Sequence, residues 1–330
     1  MSARPVPAAR RPLPTRAPLA AGLAVGLVAV AAACGGSGSA EPPALTRDEA
    51  RAVLARYEAA AGQAGQRLDA TALSAVETDP QLTMDTAAVR LRRAVGQRPG
   101  PLKFTSTAFY IPRVAGHPRW FAVDAVTGSG RQALRHALLF TQASAGGPWL
   151  LAADPYPGDA VLRNVELDDD AYAVAVPPDA PGLAVAPGRI AAAHAALLTG
   201  GPQAPGATAL APGPRTDQAH TALRQGVAAL GKRGITFTST FAPAAIPVHA
   251  LRTRDGGAVV WYALRQNEAY SSAKKGRLTV SGDLTGLIPA RSVKNRMTTT
   301  VLIQYLAVIP PKGKAHVTGM YRKAVSASPS

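Results

Sequence analysis

AVGQRPGPLKFTST, residues 94–107, comes back as ALGKRGITFTST, residues 229–240, and this return decides how the chain is read. Ala94-Val95-Gly96-Gln97-Arg98 matches Ala229-Leu230-Gly231-Lys232-Arg233, and Phe104-Thr105-Ser106-Thr107 matches Phe237-Thr238-Ser239-Thr240. Further on, Trp120-Phe121-Ala122-Val123 matches Trp261-Tyr262-Ala263-Leu264, and Leu138-Leu139-Phe140-Thr141-Gln142 matches Val301-Leu302-Ile303-Gln304-Tyr305. Matching blocks in one order imply a tandem duplication.

Helical patterns precede the repeated blocks in each half. Thr46-Arg47-Asp48-Glu49 reads as a capping box, with Ala50, Val53, Leu54, Tyr57 and Ala61 following on one face at helical spacing. Two more helical patterns cover about 67–76 and 84–95, the second closed by Gly96. In the second half the patterns fall at about 190–198 and 217–230, with Thr216 as an N-cap. Alternating, β-branched and aromatic segments punctuated by Gly and Pro then predict strands. The expected fold is therefore α+β: two tandem duplicated lobes, 45–180 and 181–330, each with helices on one face of a curved antiparallel sheet. By analogy the layout is similar to the cystatin-like and nuclear-transport-factor-like cone. Pro177–Gly188 joins the lobes, and the Pro/Gly-rich stretch 200–215 is a loop within the second.

Ahead of the lobes, Arg4, Arg10, Arg11 and Arg16 precede fifteen uncharged residues, Leu19 to Ala33, that end at Cys34, the only cysteine. This is the three-part layout of a secretory signal. As a helix, fifteen residues span about 22 Å, short of the ~30 Å hydrocarbon core, so cleavage rather than retention is expected. Ala31-Ala32-Ala33-Cys34 resembles a bacterial lipobox, which implies that residues 1–33 are removed, that Cys34 carries diacylglycerol, and that 34–44 form a flexible tether. The alternative is an ordinary signal peptide that leaves a free thiol. The Arg10-Arg11 pair outlines a twin-arginine signal, interrupted by Pro12 and Pro14, so the export route stays open.

Charge is divided unevenly along the chain. Residues 34–184 hold 14 basic and 16 acidic residues, and residues 185–330 hold 18 basic and 4 acidic. That asymmetry implies an anionic partner for the second half, and outside the membrane nucleic acid is not the expected one. The repeat also breaks there: the span from Leu264 to Val301 is longer than that from Val123 to Leu138. Residues 274–296 of that span carry Lys274, Lys275, Arg277, Arg291, Lys294 and Arg296 against one acid, Asp283. These six are candidate contacts to anionic lipid or wall polymer, with a solvated face as the alternative.

No catalytic or metal-binding motif stands out, and none implies a cofactor. His117, His136, His194, His220, His249 and His316 lack ligand spacing and read as surface or sheet-edge residues. Glu166 to Asp170 lacks the spacing of a calcium loop and reads as a turn, followed by a strand over 171–176. Trp120, Phe121, Trp261 and Tyr262 hold equivalent repeat positions, as candidate pocket-lining residues or as core.

Together the lipobox, the LTRDEA first helix, the ETDPQLTMD segment, the FYIPR and PRWFAV blocks and the tandem second half resemble uncharacterised lipoproteins of actinomycetes that carry a domain of unknown function. The resemblance implies a place at the outer face of the cell membrane, held by lipid on Cys34, and no known activity. The expectation is an extracytoplasmic binding or scaffolding protein of the envelope. The alternative, an envelope enzyme acting on wall polymer, would gather titratable groups from distant segments in one cleft.

Overall fold

Thr46 opens the fold with reciprocal hydrogen bonds: its Oγ1 accepts from the Glu49 N–H at 3.2 Å, and the Glu49 carboxylate accepts from the Thr46 N–H at 2.7 Å. The computed structural model describes residues 41–274, 278–289 and 291–329. In chain order these form helices α1 (Arg47–Arg67), α2 (Ala70–Leu73) and α3 (Gln81–Val95), then strands β1 (Phe104–Tyr110), β2 (Arg119–Thr127), β3 (Leu134–Gln142), β4 (Leu150–Ala153) and β5 (Tyr156–Pro157). Helices α4 (Ile190–Gly200) and α5 (Asp217–Lys232) follow. Strands β6 (Ile235–Pro243), β7 (His249–Arg252), β8 (Ala258–Ser272), β9 (Leu278–Thr279), β10 (Ser292–Val293), β11 (Arg296–Ile309) and β12 (His316–Pro329) complete the chain. The fold is α+β, its sheets antiparallel.

Local chemistry sets most of the helix boundaries. Leu68, at φ 55°, ends α1, and Asp69 restarts the chain by accepting from the Thr71 and Ala72 N–H groups, so the helix expected over 67–76 shortens to α2. Gly96, at φ 69°, closes α3 in the left-handed conformation that glycine adopts without strain. Thr216 does not cap α5 through its side chain. Its hydroxyl donates to the Ala211 and Gly213 carbonyls, and the Asp217 carboxylate takes the Gly213 N–H at 2.6 Å. Residues 171–176 are not a continuous strand: Ala171 turns at φ 60°, and the segment then bridges Pro112 through Ala173 and Leu251 through Ala175.

The first sheet runs β1-β2-β3-β4 and the second β6-β8-β11-β12-β5, with β7 also on β8. Val123 pairs with Leu138, whereas Leu264 pairs with Ile303, two residues beyond the position matched in sequence. An even shift keeps each side chain on its own face of the sheet. The longer second span extends β8 and β11, whose end is capped by the β9–β10 pair and a small core of Ile235, Leu278, Ile288, Val293 and Met297. Strand β5, from the first half, pairs with β12, where a side chain at Gly319 would stand 3.0 Å from the Pro157 nitrogen.

Apolar side chains collect in layers. Leu54 and Tyr57 of α1 cover Phe121, Leu138 and Phe140 of the first sheet. Ile190, Leu197 and Leu198 of α4 cover Tyr262, Leu264, Ile303 and Tyr305 of the second. Between the sheets, Trp120 and Leu139 meet Leu251, Val259, Trp261 and Leu306. The Trp261 indole N–H there donates to the Ala137 carbonyl at 2.9 Å. Residues 40–330 form one compact unit, and Pro42 to Ala44, at the end of the expected tether, already lie along 112–114 with Ala44 buried. Among the described residues no helix is long and apolar enough to cross a membrane.

Trp261, 1% exposed, closes the layer between the sheets. Trp261→Ala should lower unfolding free energy by about 3–5 kcal/mol, whereas truncating Val95, 47% exposed, should change it by no more than about 0.5 kcal/mol. Urea denaturation of the two variants checks both values.

Candidate functional site

The aromatic residues singled out by the repeat are not brought together around one cavity. Phe121 is fully buried and stacks on Phe140 with ring centroids 5.0 Å apart. Trp120 packs against His249 beside one groove, and Trp261 and Tyr262 border a separate small cleft of about 180 Å³. Three of the histidines read as surface or sheet-edge residues are buried: His136, His194 and His249. Their settings differ: His194 of α4 bonds the Tyr262 hydroxyl at 2.9 Å and the Arg215 carbonyl at 2.8 Å, whereas His249 packs against Trp120. In the acidic run, Asp168 and Asp170 both bind the Arg113 guanidinium, whose face covers the Tyr172 ring.

Cys34, Lys275 and Arg277 lie outside the described residues. Lys274, Arg291, Lys294 and Arg296 are exposed near the end of the β8–β11 hairpin, where the Ser272 N–H donates to the Asn295 carbonyl at 2.8 Å and Arg296 stands opposite Ser271. Among the described residues none of these four pairs with a carboxylate. Asp283 is engaged elsewhere, 3.0 Å from Lys323 and 3.9 Å from Arg322.

A cavity of about 620 Å³ between α1, α3 and the first sheet holds a cluster that no sequence motif announced. Tyr57 comes from α1, Glu77 from the turn after α2, and Gln81 and Asp85 from one face of α3. His136 stands on β3 on the same face as Leu138 and Phe140, so it points toward the helices. Asp154 follows β4, Tyr156 lies on β5, and Tyr321 reaches in from β12.

Hydrogen bonds link these groups across both halves of the chain. Asp85 accepts from Gln81 Nε2 at 2.9 Å and from the Tyr321 hydroxyl at 3.1 Å. His136 Nδ1 lies 2.8 Å from Asp154 Oδ2, and its Nε2 lies 2.8 Å from the Thr127 hydroxyl. Gln304, fully buried on β11, accepts the Asp154 N–H at 2.7 Å and donates to Gln81 Oε1 at 3.0 Å. The Tyr57 hydroxyl is a long 3.5 Å from Glu77 Oε1. Asp154 Oδ1 has no partner, and Glu77 Oε2 accepts from no amide, imidazole or phenol.

This environment resists negative charge. Burial, reinforced by the charge and hydrogen bond of Asp85, raises Glu77 far above the usual carboxylate range. Burial also raises Asp85, against the opposing bonds from Gln81 and Tyr321. For His136 burial pulls the imidazole down, while the charge and hydrogen bond of Asp154 pull it up, and the net shift is upward. Burial, with the nearby carboxylates adding to it, keeps Tyr57, Tyr156 and Tyr321 as neutral phenols. Among the described residues no three imidazole, carboxylate or thiolate groups converge closely enough to hold a metal ion. The arrangement offers a protonated carboxylic acid, an imidazole–carboxylate pair and phenol walls, which suit ligand binding or proton transfer.

The sequence profile of the domain of unknown function DUF8094 matches residues 41–329. An uncharacterized lipoprotein of Streptomyces avermitilis is 30% identical over 213 residues, 64% of this chain and 62% of that protein's length. An uncharacterized lipoprotein of Streptomyces coelicolor is 27% identical and covers 84% of each chain, and another from the same organism is 25% identical over 72% of this chain and 68% of its own. No solved structure gives a significant match.

Opposed shifts set the pH dependence. Burial lowers His194 and His249 to about 4, so unfolded imidazoles bind more protons than folded ones up to about 6.5, and stability from this source rises with pH over that window. Glu77 and Asp85 are raised, so their contribution is complete below their unfolded values of 4.5 and 3.8 and is lost as pH climbs toward their folded values. Raised His136 acts in the same direction. From about pH 6.5 to 8.5 stability should therefore fall, by up to about 1.4 kcal/mol per pH unit for each proton involved. Glu77→Gln should flatten that slope in urea-denaturation midpoints, whereas an unchanged slope would place the shift elsewhere.

Proposed function

Because the chain belongs to the DUF8094 family, whose named relatives are lipoproteins, we propose that it is a lipid-anchored extracytoplasmic binding or scaffolding protein at the outer face of the cell membrane. Diacylation of Cys34 supplies the anchor, since two acyl chains give stable attachment where one is marginal. The observation that carries a binding role is the hairpin end bearing Lys274, Arg291, Lys294 and Arg296, exposed and without carboxylate partners among the described residues. We take its target to be the anionic lipid beside the anchor. We also read the two sheets as copies of one duplicated lobe. Support comes from their shared strand order and from Trp120 and Trp261 occupying the same layer between them.

A second reading, an envelope enzyme acting on wall polymer, is favoured by one feature: the cavity draws Glu77, Asp85, His136, Asp154 and Tyr321 from distant segments and shifts several of their protonation equilibria.

Replacing Cys34 with Ala should release the protein from the membrane fraction into the medium. Continued retention would make the leader itself the anchor. Separately, residues 40–330 should cosediment with anionic phospholipid vesicles and release as salt shortens the ~10 Å screening length found at 0.1 M. Each basic side chain near such a surface contributes about 1 kcal/mol, so the triple variant Lys274→Glu, Lys294→Glu, Arg296→Glu should bind about a hundredfold more weakly. Equal sedimentation of variant and parent would remove the lipid-docking role, and binding to purified wall polymer instead of vesicles would reassign the surface.

A further inference from the structure

One acceptor at the base of the carboxylate cavity lacks a donor. Glu77, Asp85 and Asp154 place six oxygens there: Tyr57, Gln81, Tyr321 and His136 hydrogen-bond four of them, and Glu77, held protonated by burial, shares a hydrogen bond with Asp85. Asp154 Oδ1 is left buried and unpartnered, on a residue that is 6% exposed and lines the cavity. Buried polar atoms are almost always satisfied, so an unsatisfied carboxylate oxygen beside a 620 Å³ space points to a donor brought by a ligand. The mouth is bordered by exposed Lys103, Thr105, Ser129 and Leu134, which gives a ligand a way in.

We propose that this cavity binds an organic ammonium ligand, its cationic group seated between the Glu77, Asp85 and Asp154 carboxyls and its methylene chain running along Tyr57, Tyr156 and Tyr321. An ammonium brings three donors and no acceptor, which is what the base lacks. A neutral polyol brings as many acceptors as donors, and an anion would meet only carboxyls. Phenol rings suit a cation, since their faces attract positive charge. Neither positive group of the cavity pairs with a carboxylate among the described residues: the charge of Arg92 acts on Tyr156 and Tyr321, and Lys103 lies at the mouth. His136 is already committed to Asp154 and Thr127. This inference is independent of membrane docking, because the cavity and the basic hairpin end share no residue.

Burial keeps Glu77 protonated in the empty cavity, so an arriving cation should favour the carboxylate and expel a proton. Residues 40–330 are titrated with cadaverine in a calorimeter, in buffers of different ionisation enthalpy, with sorbitol as the neutral hydroxyl probe. Saturable cadaverine binding with proton release is expected, with no heat from sorbitol. Glu77→Gln and Asp85→Asn should each weaken binding at least about tenfold, the effect of losing a charge-assisted bond. Both variants are near-isosteric, and proton release by the unaltered chain needs no variant at all. Absence of saturable binding at millimolar cadaverine, binding without proton release, equal binding of sorbitol, or unchanged affinity in Glu77→Gln would each overturn the assignment.

Discussion

The side-chain amide of Gln304 is satisfied only when both halves of the chain are folded together. It sits fully buried on β11, accepts from the Asp154 backbone and donates to Gln81, partners 150 and 223 residues away in sequence. A buried amide left without either bond costs roughly 1–3 kcal/mol, so α3, the end of β4 and the second sheet are fixed relative to one another. The cavity inherits that geometry. Gln81 holds Asp85, and Asp154 holds His136, so Asp85 and His136 are each one hydrogen bond removed from Gln304.

Around that bond the two halves are joined by other contacts of different kinds. Apolar packing is centred on Trp261 and Trp120, backbone pairing runs from β5 to β12, and the Tyr321 hydroxyl reaches Asp85. The halves of this DUF8094 protein therefore share a core rather than swinging as separate bodies. That sharing is also why the cavity is a product of the whole chain: its helices and first sheet come from one half, and Tyr321 from the other.

The charge of the second half is not spread at random. Arg322 and Lys323 of β12 pair with Glu268 and Asp283. Four of the cations without carboxylate partners among the described residues, Lys274, Arg291, Lys294 and Arg296, lie where β8 and β11 outrun the strands of the first half. Structure and charge thus change at the same place in the chain, whereas the carboxylates of the cavity all come from the near-neutral first half.

By itself the sequence determined the features set by neighbours a few residues apart. The capping box at Thr46 and Glu49, the left-handed closure at Gly96 and the order of helices before antiparallel strands depend on local hydrogen bonding and side-chain periodicity. The DUF8094 family itself was legible in such short blocks, among them ETDPQLTMD. That segment spans Glu77, Gln81 and Asp85, yet alone its polar stripe reads like any solvated helix face. Only the tertiary structure decided that the stripe faces inward, because its partners His136, Asp154, Gln304 and Tyr321 lie up to 236 residues away and nothing local to them records the pairing. The same holds for the three buried histidines and for 171–176, whose alternation suggested a strand: their surroundings were set by the packing of one sheet on the other, a long-range contact that hydrophobic periodicity does not encode.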